Sequence, residues 1–272
     1  MKTAIKIWRE SFSKLIKHPK LFIPFILAAG ANLVTLYFLY LAPQRPVSLI
    51  LAPPIRRIFG EKFLHYPSNL FILPKLYHYG QLVLSASLGV LMTGLAIAML
   101  NQVYEGRRAK ILNSSLDTLR RILSLVGIWL FMFLLSFSSQ KLLFQFTSGE
   151  ISSIGLSCAS YFVILLVQLV FIYAMPMVMV EKRTIFGALV KGFVFFVKVW
   201  RPTIALVFIP ALLYIPLIVL NSNAAGIVLK SSPEAIIPII LAGILVAFIL
   251  DILFTIPTTL LFLKEKKGSV KK

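Results

Sequence analysis

The chain has 272 residues, of which 59% are hydrophobic and 14% charged, with a mean hydropathy of +0.92, whereas ordinary soluble domains carry about 25% charged residues. That composition excludes a water-soluble globule. Twenty-eight Lys and Arg against nine Asp and Glu leave a net charge of +19, which in so apolar a chain points to membrane topology and anionic lipid rather than to nucleic acid. Cys158 stands alone and cannot form an internal disulfide. Three histidines without a second cysteine make an all-protein zinc site improbable, and no cofactor is expected.

A hydrocarbon core of about 30 Å takes roughly 20 apolar residues as a helix. Six long apolar runs meet that length, at 21–41, 82–100, 122–138, 154–180, 203–220 and 235–263. Each is apolar on every face rather than alternating, so the expected fold is all-α, one polytopic transmembrane helical bundle of six spans over 1–272. Pro24, Pro176, Pro210, Pro216, Pro238 and Pro257 lie inside these runs and mark kinks or ends. The basic N-terminus with its apolar sequel resembles a secretion signal, but the run is too long for a signal's apolar core and reads as a permanent first span.

Orientation follows from the basic residues between spans. With the N-terminus inside, 21 of the 28 Lys and Arg fall in 1–20, 105–121, 182–201 and the tail 264–272, and seven fall outside. Both termini are therefore expected in the cytoplasm, in the cell membrane. The segment 42–80 reads as a long extracytoplasmic loop, and its five basic residues run against the rule. It also carries six prolines and the aromatic stretches around His65, Tyr66, Tyr77, His78 and Tyr79, which fit an interfacial belt or a surface for another subunit.

Three of the inside segments share a design. Ile5, Trp8, Phe12, Leu15 and Ile16 fall on one helical face, as do Leu112, Leu116 and Leu119, and again Leu189, Phe193 and Phe196. A shared short pattern ends on basic residues: Lys14 and Lys17, then Arg120 and Arg121, then Lys198, with Arg201 just beyond. The chain thus reads as three pseudo-repeats of amphipathic helix plus transmembrane hairpin. Such helices lie in the headgroup layer with basic residues toward anionic lipid, or bind a protein partner or second copy.

The stretch 5–25, with Trp8, basic ends, Pro19 and Pro24, resembles the opening of small six-helix bacterial and archaeal membrane proteins related to the membrane domain of glycerophosphoryl diester phosphodiesterases. Met175-Pro176-Met177-Val178-Met179-Val180-Glu181, followed by Ala188 and Lys198, is similar to the end of that group's fourth span. The resemblance covers most of the chain in layout. It implies a six-helix membrane fold and, by association, a lipid-related role. The phosphodiesterase activity belongs to a separate soluble barrel, for which this chain has no room.

Asp251 is the one acidic residue deep in an apolar run, and an ionisable group there is a functional candidate by default. It could carry a proton or cation with Asn32 or Gln168 nearby, or it could cap a helix broken at Pro257 or pair with Lys191 or Lys198. Ser85, Gly89 and Thr93 stand four apart, as a close helix contact requires. Neither a phosphate-binding Gly-Lys-Ser/Thr loop nor a Gly-x-Ser-x-Gly elbow occurs. The expected role is a non-enzymatic scaffold or accessory subunit engaging anionic lipid or a partner. The alternative is a transporter or permease-like component for a lipid or small solute, using Asp251 and the kinked fifth and sixth spans.

Overall fold

The computed structural model describes residues 2–146, 153–230 and 232–270, all in helices and short connections with no strand among them. Six helices are long and apolar enough to cross a membrane: Pro19–Leu41, Ser68–Tyr104, Ile122–Gln145, Ile154–Glu181, Trp200–Ser222 and Pro233–Gly268. They follow the order of the six apolar runs, and the fold is that of a multi-pass membrane protein.

The chain opens with α1 (Lys2–Lys17), a 3-10 turn and α2 (Ile23–Leu41). Next come α3 (Ser48–Phe59), stopped by Gly60 at φ +76°, and α4 (Ser68–Leu84). α4 continues through a π-helical segment, Ser85–Gly89, into α5 (Val90–Tyr104). Much of 42–80 is therefore helical, and the second span begins at Ser68 rather than at residue 82. Lys75, His78 and Gln81 give the segment the polarity of a loop, yet Leu70, Leu73, Leu76 and Tyr77 recur at helical spacing and are buried.

Beyond it lie α6 (Ile111–Leu119), α7 (Ile122–Phe146), α8 (Ser153–Phe171), α9 (Ala174–Glu181), α10 (Ile185–Lys198), α11 (Trp200–Ala211), α12 (Ile215–Ser222), α13 (Ala224–Lys230) and α14 (Ile236–Val270). Prolines place the interruptions. α8 gives way to α9 two residues before Pro176 takes its place in the helix, and a 3-10 turn, Leu212–Tyr214, joins α11 to α12 between Pro210 and Pro216.

Of four apolar clusters among the described residues, two are the largest. The larger lies at the end carrying α1, α6 and α10, where Leu100, Leu125, Leu206, Ile256, Leu260 and Phe262 are fully buried. There Tyr173 meets Phe195 edge-on at 4.7 Å, and its hydroxyl lies 2.6 Å from Thr203 Oγ1. Polar ties close the same end. Glu10 pairs with Lys264, Lys266 comes within 4.0 Å of Glu181, and the Arg121 guanidinium donates to the carbonyls of Val178 and Met179. The smaller centre, at the opposite end, holds Leu36, Leu73, Tyr77, Ile236, Ile240 and Ile244.

Candidate functional site

Asp251 sits on α14 between the two centres. Leu241, Leu245 and Ile249 are exposed at four-residue intervals and mark the outward stripe of the helix. Asp251 leaves from another side, in line at seven-residue spacing with Ile244 and Thr258, both buried. Despite this inward placement the carboxyl-bearing residue is exposed. No hydrogen bond or ion pair reaches it among the described residues. A charged side chain at the centre of a membrane helix costs about 2.5–3.5 kcal/mol on insertion scales, and here no neighbouring cation offsets that cost.

Gln168 repeats the arrangement on α8. Phe162 and Leu166 form the outward side, while Gln168 shares another face with Ser157, Tyr161 and Ile164 and is exposed there. That face borders a cavity of about 650 Å³ whose walls are Gln140 and Phe144 of α7, Ser157, Tyr161 and Ile164 of α8, and Tyr214 and Ile218 beside and on α12. Tyr161 and Tyr214 stack with ring centroids 4.7 Å apart, and the Tyr161 hydroxyl donates to the Ala211 carbonyl at 3.2 Å. The Ser160 hydroxyl, also at the cavity, is buried without a partner. These residues lie near the ends of α7, α8 and α12 remote from α1, α6 and α10, so the cavity is at the opposite end of the bundle from the polar ties.

Depth can be read from those ties. Lys266 meets Glu181 and Lys267 lies over the Tyr104 ring at 5.7 Å, which sets the sixth, fourth and second spans in register. Counting back at 1.5 Å per residue, Asp251, Gln168 and Gly89 all stand about 20–23 Å from that level. The π-helical segment Ser85–Gly89 therefore shares a layer with both polar side chains, and single-turn π segments recur at functional sites. Thr93 Oγ1 donates back to the Gly89 carbonyl at 2.9 Å, so the small-residue stripe sits where the helix changes its winding.

Other candidate residues disperse. Asn32 is already engaged: its amide donates to the Ala28 carbonyl at 2.9 Å and its oxygen accepts the Tyr77 hydroxyl at 3.1 Å. Tyr77 is buried and leaves the expected partner surface, whereas His65, Tyr66, His78 and Tyr79 stay exposed. Tyr66 donates to Glu234 at 2.9 Å, and that carboxylate, by accepting its proton, holds the Tyr66 phenol above its ordinary value. Lys17, Arg120, Lys198 and Arg201 are exposed. Lys14 lies over the Tyr104 ring at 5.6 Å, and Arg121 is bound to backbone carbonyls rather than free for a headgroup. The Tyr161–Tyr214 pair and Gln140 carry no sequence signal that separates them from ordinary interfacial aromatics and amides.

A scan against protein-family models, and searches of curated proteins and of solved structures, return no match to this chain.

Proposed function

We propose that the protein is a non-enzymatic integral membrane protein with both termini in the cytoplasm. In this reading it lays α1, α6 and α10 in the anionic leaflet and serves as a scaffold or accessory subunit. One observation, common to the three helices, carries the reading. Ile7 and Leu15, Ser114 and Thr118, and Ala188 and Leu189 turn into the bundle, while Ile5, Phe12 and Ile16, Leu112, Leu116 and Leu119, and Phe186, Val190 and Phe193 remain uncovered. The exposed Lys17, Arg120, Lys198 and Arg201 flank those apolar sides. A helix bounded by protein, hydrocarbon and water has this three-sided pattern. The sequence count, 21 of 28 basic residues in 1–20, 105–121, 182–201 and 264–272, supports the orientation. Each short helix precedes a span, α1 before α2, α6 before α7 and α10 before α11, as three pseudo-repeats require. The layout resemblance to phosphodiesterase membrane domains adds an association with lipid.

The test is lipid selectivity. Extracted from mixed bilayers, the wild-type chain retains phosphatidylglycerol over phosphatidylcholine, and replacing Lys17, Arg120, Lys198 and Arg201 together by Gln abolishes the preference. A basic residue near an anionic surface contributes about 1 kcal/mol, so equal retention by both proteins would sink the reading.

A second reading, a transporter or permease-like component for a lipid or small solute, is favoured by the inward yet exposed position of Asp251. With Cys158→Ser as background, Asp251→Cys reacts with a membrane-impermeant thiol reagent added from the side remote from α1, α6 and α10. No reaction from either side removes the pathway.

A further inference from the structure

We propose that the crevice between α2 and α3 binds the hydrocarbon tail of a long-chain fatty acid, whose carboxylate is met by Arg57 further along α3. The site lies at the end of the bundle remote from α1, α6 and α10, and it depends on neither reading above.

The sequence gives α3 three sides. Ala52 and Ile55 are buried in a small cluster with Ala42, Phe63 and Leu76. Arg56, Leu49 and Pro53 form a second side, all exposed. Val47, Ile50, Pro54 and Arg57, three or four residues apart, form the third. No protein covers most of that stripe: Ile50 is 78% exposed and Ile58, at its edge, 75%. Depth is given by α2. The first span ends at Leu41, and the exposed Tyr37 and Tyr40 mark its interfacial belt.

Where the stripe meets α2, a cavity of about 500 Å³ opens. Its walls include Thr35 and Phe38 of α2, Ile50 and Leu51 of α3, and Pro46 and Val47 at the turn between them, with Thr35 the one polar side chain. The volume falls inside the roughly 300–1,000 Å³ range of small-molecule sites. An apolar crevice at membrane depth takes hydrocarbon rather than water, and walls drawn from two helices suit a single chain.

Charge identifies the head. The segment 42–80 holds five basic residues and one acid. Glu61 is taken by Arg56, and Lys75 lies over the Phe59 ring at 5.9 Å. Arg57 is exposed, and no hydrogen bond or ion pair reaches it among the described residues. It stands ten residues beyond Val47, about 15 Å along the helix, so a chain laid on the stripe with its tail in the crevice brings its head to this guanidinium. One planar fork satisfies a carboxylate through two parallel bonds. The basic excess that runs against the topology rule in 42–80 thereby gains an anionic partner.

The experiment uses the intact wild-type chain in phosphatidylcholine nanodiscs at about pH 9, which keeps a fatty carboxyl ionised. The probes are palmitic acid with a mid-chain diazirine and the alcohol of the same chain, and mass spectrometry maps the adducts. A charge-assisted pair is worth roughly ten- to hundredfold, so the acid labels 35–51 at least about tenfold more than the alcohol. Arg57→Gln lowers the acid to the alcohol's level and leaves the alcohol's labelling unchanged, which shows the crevice intact. Excess unlabelled palmitate displaces the acid probe, and phosphatidylglycerol does not. Equal labelling by acid and alcohol would reveal a passive apolar crevice, and displacement by phosphatidylglycerol would reveal ordinary anionic boundary lipid. Either result, or adducts confined to residues outside 35–51, overturns the site. Joint replacement of Lys17, Arg120, Lys198 and Arg201 by Gln leaves the labelling unchanged, and its loss there would also overturn the assignment to Arg57.

Discussion

Gly192→Ala tests how the end of the bundle that carries α10 is closed. A Cβ at residue 192 would stand 3.1 Å from the backbone nitrogen of Ala174 and 3.3 Å from both Ala174 Cα and the Tyr173 carbonyl carbon. Ordinary carbon contacts lie at about 3.5–4.0 Å, so α10 must withdraw from α9 by several tenths of an ångström. The obstructing atoms are main chain at the start of a helix, and Tyr173 beside them is fixed by its hydroxyl contact with Thr203 and by Phe195. Neither side can rotate away. Overpacking of this kind costs about 1–3 kcal/mol, which is roughly a 5- to 160-fold loss in the folding equilibrium. Gly30→Ala is the control, because nothing lies within 4 Å of a Cβ there, and alanine in a helix gains up to about 1 kcal/mol over glycine. Thermal unfolding of both variants in one detergent gives the comparison. Gly192→Ala melts below wild type and Gly30→Ala at or above it; equal melting of the two would refute the proposed contact between α9 and α10.

Arg121→Gln removes a charged donor from the carbonyls of Val178 and Met179 and lowers stability by about 1.5–3 kcal/mol; an unchanged unfolding midpoint would show those bonds to be idle. Asp251→Leu raises the unfolding midpoint, by up to about 3 kcal/mol, because it removes a charge from mid-span; a loss of stability would mean that the carboxylate has a structural partner. Gly94→Ala drives a Cβ to 2.7 Å from Thr118 Cγ2 and 2.8 Å from Leu125 Cδ1, and its destabilisation is partly rescued by Thr118→Ser, which deletes the nearer methyl; no rescue would contradict the packing of α5 on α6. The Tyr66 phenol, held up by the Glu234 carboxylate, keeps its hydrogen bond below its ordinary value near 10 and loses it as pH rises through the raised value. Ultraviolet titration of Glu234→Gln should therefore show one tyrosine ionising earlier than in wild type, and superimposable curves would remove that bond.

The spans were legible because a membrane helix leaves a run of apolar residues whatever its neighbours do. Prolines were less informative: Pro176, Pro210 and Pro216 each stand at or beside an interruption, but α14 runs unbroken through Pro238 and Pro257, so no helix breaks there for Asp251 to cap. α4 was hidden because Lys75, His78 and Gln81 dilute its hydropathy, and burial of Leu70, Leu73 and Tyr77 depends on α2 and α14, which local sequence does not record. The apolar faces of the short helices were only half legible. Periodicity groups Leu15 with Ile16 and Leu189 with Phe193, but Leu15 and Leu189 pack into the bundle while Ile16 and Phe193 remain uncovered. One period cannot separate two apolar surroundings. Asp251 could be singled out by charge and Gln168 named beside it, whereas the depth they share with Ser85–Gly89 could not be read. Gln168 is one amide among several, and Ser85–Gly89 looked like a packing stripe until its π winding gave it a place in that layer.

The position of α1, α6 and α10 relative to the bilayer can be measured by fluorescence quenching. On the Cys158→Ser background, single cysteines replacing Ile16, Leu116 and Val190 are labelled with an environment-sensitive dye, and the protein is reconstituted in phosphatidylglycerol bilayers. All three dyes should be quenched by lipids brominated near the headgroup end of the chain and shielded from aqueous iodide. Strong iodide quenching with no response to brominated lipid would place these helices in water and contradict their seat in the leaflet.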